Sequence, residues 1–127
     1  MQLPAEVLAD TALIEVVRIS ARPKKVGAPY PGETVAHWAD SEVADVLALM
    51  GTLPGSGQHR CGFSPGWSVR GYERSLEIVL FEAAFCFSCH EVRMHGAAVP
   101  AALVKQFFDV DAPPAQELLA RFRAAGS

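Results

Sequence analysis

Apolar and polar positions along this chain repeat with two different periods, and the switch between them marks out its elements. Leu13 to Ala21 (Leu-Ile-Glu-Val-Val-Arg-Ile-Ser-Ala) is dense in β-branched residues and stops short of Pro23, which predicts a strand. Residues 26–32 hold two prolines and two glycines and predict a loop, after which Glu33 to Trp38 is a candidate short strand. Val43, Val46, Leu47 and Met50 then fall at i, i+3, i+4 and i+7, one face of a helix that Asp40 or Ser41 can cap and Gly51 can end.

The second half reads as a meander. Trp67 to Tyr72 and Leu76 to Phe85 are strand candidates joined by the polar turn Glu73-Arg74-Ser75. The second strand is apolar on both parities, with Ile78 and Leu80 on one side and Val79, Phe81 and Phe85 on the other. That predicts a central strand covered on both faces, with helices as the cover. His90 to His95 alternates, placing Val92 and Met94 inward and Glu91, Arg93 and His95 on a wet face. Two helices are predicted to close the chain. One starts at Pro100 with Leu103, Val104, Phe107 and Phe108 as its apolar face; the other is capped by Asp111, with Ala115, Leu118, Leu119 and Phe122 as its stripe. The expectation is a single α+β domain over residues 1–127, an antiparallel sheet of three to five strands with about three helices.

Composition narrows the function classes. Half of the residues are apolar and 20% are charged, as in ordinary globular domains. A net charge of −3 supplies no electrostatic footprint for nucleic acid. No apolar run approaches the ~20 residues that cross a bilayer. Glu6, Asp10 and Glu15 interrupt the N-terminal stretch where a signal segment needs a basic head and an apolar body. A cytoplasmic protein with no membrane partner is therefore expected. The basic run Arg18, Arg22, Lys24 and Lys25 reads as a solvated strand end and loop rather than a surface for an acidic partner.

Chemistry concentrates at the three cysteines. Cys61 lies in His59-Arg60-Cys61, and the other two lie in Cys86-Phe87-Ser88-Cys89, followed by His90. The strand pattern puts this CxxC at the reversal between two antiparallel strands, and the hairpin brings the start of one strand beside the end of the other. His59 and Cys61 should then meet Cys86 and Cys89. An odd cysteine count argues against a disulfide framework. Four thiolate and imidazole donors suit a closed tetrahedral zinc site, with His90 or His95 as the substitute for His59. Such a site leaves no open position for substrate, so a binding or accessory module is expected rather than an enzyme, with a protein or small-molecule partner and no indication of oligomeric state.

Three other readings use the same residues. A thiol–disulfide oxidoreductase would employ Cys86 and Cys89, with Cys61 resolving. The run Cys86 to His90 also matches the haem attachment motif CxxCH, with Met94 a conceivable second ligand, but strand periodicity after the motif and the absent export signal count against it. Finally, all three cysteines can be buried apolar residues beside Phe85 and Phe87. His37 reads as the packing neighbour of Trp38. No Ser-His-Asp set, phosphate-binding glycine loop or catalytic carboxylate pair emerges from spacing.

Overall fold

A computed structural model describes all residues, 1–127. In chain order the elements are α1 (Ala5–Asp10), β1 (Leu13–Ile19), β2 (Gly32–Ala39), α2 (Ser41–Gly51), β3 (Trp67–Tyr72), β4 (Val79–Cys86), β5 (Glu91–His95), a single 3₁₀ turn (Ala101–Leu103), β6 (Lys105–Phe107) and α3 (Pro113–Ala125). The strands form one six-stranded sheet in the order β2-β1-β3-β4-β5-β6. Every neighbouring pair runs antiparallel, so the class is α+β. The sheet has one strand more than the upper expectation.

Alternation along the strands divides the sheet into two unlike faces. Ile14 and Val16 of β1, Val69 of β3, Phe81, Ala83 and Phe85 of β4, and Val92 and Met94 of β5 point into one core with α2 and α3. The helical period predicted from Val43, Val46, Leu47 and Met50 is seen, and all of them are buried. Asp40 occupies the N-cap position of α2, although its side chain makes no capping bond. Ala112, not Asp111, occupies that position in α3, and proline follows it in the first turn.

The opposite face is polar, not helix-covered. It carries Glu15 of β1, Ser68 and Arg70 of β3, Glu82 and Cys86 of β4, and Glu91, Arg93 and His95 of β5, brought side by side by the register. The segment between β1 and β2 folds over it. Glu91, expected on a wet face, is buried, as is Glu82, while Arg93 and His95 are half-buried. At the other end of β4, Ile78 lies outside the strand and is 46% exposed.

The helix predicted from Pro100 is replaced by the 3₁₀ turn and β6. β5 offers an unpaired edge, and Lys105 to Phe107 fill it as a strand in place of the helical turn. The reversal after β5 depends on Gly96, whose φ of +144° and close approach to Leu80 exclude a side chain: a Cβ there would fall 2.4 Å from the Leu80 carbonyl oxygen. Helix α1 is short and buries only Val7, too little periodicity to detect in sequence.

Candidate functional site

The thiols do not form a metal centre. Cys61 and Cys89 are joined in a disulfide across 28 residues of sequence, with Cα atoms 5.6 Å apart. No group of three or more His, Cys, Asp or Glu side chains is placed to hold a metal ion. This overturns the zinc assignment to His59, Cys61, Cys86 and Cys89 and, with it, the structural zinc module. The physical reason is direct: a disulfide consumes the two thiolates that the ion would need. His59 instead stacks its ring on His90, centroids 4.1 Å apart and planes within 10°. Cys86 stays a free, buried thiol beside the Ser88 hydroxyl, Sγ to Oγ 3.4 Å. His95 lies on β5 facing the polar side of the sheet.

The same bond bears on the other cysteine readings. With Cys89 bonded to Cys61, the motif cannot give both sulfurs to a haem, and the bonded pair is not the pair within CxxC. The odd cysteine count argues against a secreted framework in which all thiols pair off; here one pair closes and one thiol is left over. Closing a loop of this length restricts the unfolded chain by about 3–4 kcal/mol.

A different constellation occupies the polar face, built on Glu82, the one charged residue within β4. Its Oε2 accepts from the Ser68 hydroxyl at 2.7 Å and from Arg70 Nε at 3.0 Å, while Oε1 accepts from the Tyr30 amide at 3.2 Å. Arg70 also donates to the Tyr30 carbonyl at 2.6 Å and ion-pairs with Glu15 at 3.5 Å. Glu15 in turn accepts from the Tyr72 hydroxyl at 2.7 Å and from the Thr34 hydroxyl. No buried side-chain polar atom is left without a partner, the condition under which such a network is stable.

This network sets the titration of its members. Burial pushes the Glu15 carboxyl up, but the hydrogen bonds from Thr34 and Tyr72 and the charge of Arg70 together outweigh it, leaving the group below its ordinary value of 4.5. Burial, reinforced by Glu15, holds the Tyr72 phenol above its ordinary value, so it remains a donor. Because the folded value for Glu15 is depressed, its stabilisation is full above the ordinary carboxylate range and fades as pH falls through the folded value. Chemical denaturation at stepped pH should therefore show stability declining from pH ~5 downward, with Glu15→Gln flattening that decline. An unchanged slope in the variant would place the titration elsewhere.

Above the network lies a cavity of about 500 Å³, within the range of small-molecule sites. One wall is the segment after β1, including Arg22, Lys25 and Tyr30; the other comprises Phe63 to Pro65, and Arg93 and His95 of β5 form the floor. Three permanent cations line it, and no Asp or Glu does. Arg93 is ion-paired with Glu91, and its guanidinium lies over the Phe63 ring at 4.1 Å from the centroid. A smaller cavity of about 240 Å³ adjoins it, where His95 meets Arg70, Tyr72 and Glu82.

The chain matches no family model, no curated protein and no solved structure.

The site must thus be read from its own residues. Part of it was visible as sequence: the basic run holding Arg22 and Lys25 belongs to the cavity wall, although it reads as a solvated loop. The isolated Glu82 inside an apolar strand was the other available signal, since a lone carboxylate at a buried position demands a partner. No helix is long and apolar enough to cross a membrane.

Proposed function

We propose that this protein is a binding module for a small organic anion, a carboxylate or phosphate ester carried on an apolar body. The observation that carries this reading is the lining of the larger cavity: Arg22 and Lys25, together with Arg93 already paired to Glu91 beneath it, and no carboxylate on the lining itself, in a chain whose net charge is −3. Positive charge gathered against the net sign of the molecule favours an anion. Guanidinium and ammonium groups donate charge-assisted hydrogen bonds to its oxygens. Tyr30, Phe63 and Pro65 supply apolar surface for the remainder. The Tyr30 phenol, raised by burial, stays protonated and can donate.

An amide NMR titration tests this with benzoate and inorganic phosphate as probes, at low ionic strength. Shifts should concentrate in residues 20–30, 63–65 and 93–95, and binding should weaken as salt is added. Replacing Arg22 and Lys25 together by serine is expected to weaken binding by about tenfold or more, since a hydrogen bond to a charged group contributes ~1.5–3 kcal/mol. A spectrum unmoved by either probe at millimolar concentrations would overturn the reading.

A further inference from the structure

One wall of the cavity is held by a bond that chemistry can open. Phe63, Ser64 and Pro65 lie one residue beyond Cys61, after Gly62, and the Cys61 sulfur is bonded to Cys89. No backbone–backbone hydrogen bond anchors residues 57–65; the next such bonds are those of Gly66, which pair it with Ile19 and Phe85. What fastens this stretch to the sheet is the disulfide, the stacking of His59 on His90, and the contact of Phe63 with Arg93. Two of these three are weak side-chain contacts at a partly solvated surface. The partners of the disulfide differ in access: Cys61 is exposed, whereas Cys89 is 1% exposed.

We propose that the Cys61–Cys89 disulfide is a redox latch that sets the affinity of the cavity for its anion, an inference that rests on the anion-binding reading above. The opening reaction needs a dithiol reductant. Its thiolate attacks the exposed Cys61 sulfur, the Cys61–Cys89 bond breaks, and Cys89 leaves as a thiolate that takes up a proton. The second thiol of the reductant then attacks the mixed disulfide, releasing Cys61 as a thiol and closing the reductant's own disulfide. Two electrons and two protons pass to the protein. Residues 57–65 are then tethered only at their ends, and Phe63 is no longer kept over Arg93. The cavity is complete for only a fraction of the time, and the apparent affinity falls by that fraction. Cys86, buried and unbonded, takes no part.

Arg60 provides a reporter that needs no ligand, because it is exposed within the latched stretch and trypsin cuts after arginine. Oxidised and dithiothreitol-reduced protein should be compared in two measurements, tryptic cleavage after Arg60 and benzoate affinity. Reduction is expected to speed cleavage at Arg60 by about tenfold while Arg70 and Arg93, within strands, stay protected, which separates local release from unfolding. Benzoate affinity should fall by about tenfold in parallel, and Cys61→Ser should reproduce both changes without reductant. Cys86→Ser should leave the response to reduction intact. Equal cleavage in both redox states would overturn the latch. Faster cleavage with unchanged affinity would show a latch that does not govern the site, and would overturn the proposal on its own. Oxidised protein that binds no benzoate would instead strike the anion-binding reading beneath it, with the cleavage result still reporting the latch.

Discussion

Replacing Arg70 with methionine is expected to lower the unfolding free energy by about 3–5 kcal/mol, the usual cost of leaving buried charge without its partner. Arg70 is the only cation bonded to Glu82, and it also pairs with Glu15; these two carboxylates are only 9% and 13% exposed at the side chain. Their mutual repulsion would then be offset only by neutral donors: Ser68 and the Tyr30 amide for Glu82, Tyr72 and Thr34 for Glu15. The Tyr30 carbonyl would lose its donor in the same step. Denaturant titration at neutral pH measures the loss. Adding Glu82→Met to the variant should recover part of it, because the second substitution removes the stranded charge. A loss below ~1 kcal/mol would mean that the carboxylates are solvated as surface pairs are.

Phe122→Ala should be comparably damaging, at about 3–5 kcal/mol, for an unrelated reason: it opens a void in the core. Phe122 is fully buried and sits at the centre of an aromatic cluster, with ring centroids 5.6 Å from Trp67 and Phe85, 6.1 Å from Trp38 and 6.3 Å from Phe87. These rings come from β2, β3, β4 and the turn after it, so this one side chain docks α3 across the sheet. Phe122→Leu, which keeps most of the volume, should cost under ~1.5 kcal/mol. Near-equal midpoints for the two variants would show that the core collapses around the void.

Periodicity carried much of the fold. The strands at Leu13 and Trp67, the helix at Ser41 and the last helix were all legible because each keeps one apolar face over several turns or pleats. Leu76 to Ile78 has the composition of a strand, but its apolar residues belong to a turn in which Leu76 takes a positive φ of 62°. The segment after Pro100 has a helical pattern but forms a strand, because its partner, the edge of β5, is a tertiary fact absent from local pattern. The cysteines show the limit most clearly. Proximity of Cys61 to Cys89 followed from strand order, but two thiols side by side signal a metal and a disulfide equally well, and only the bond decides. The cavity was hidden because its wall is a basic loop, indistinguishable in sequence from one that faces water.

The segment between β1 and β2 is closed at its base by the Ser20 amide bonded to the Pro31 carbonyl, and moored at Tyr30 through both main-chain groups to Arg70 and Glu82. Residues 21–29 contribute little to the hydrophobic core and hang from these few fixed points. Loop length is inexpensive in closure entropy, so this stretch behaves as an exchangeable cassette. Substitutions within it would change the lining of the cavity while leaving the scaffold beneath it in place.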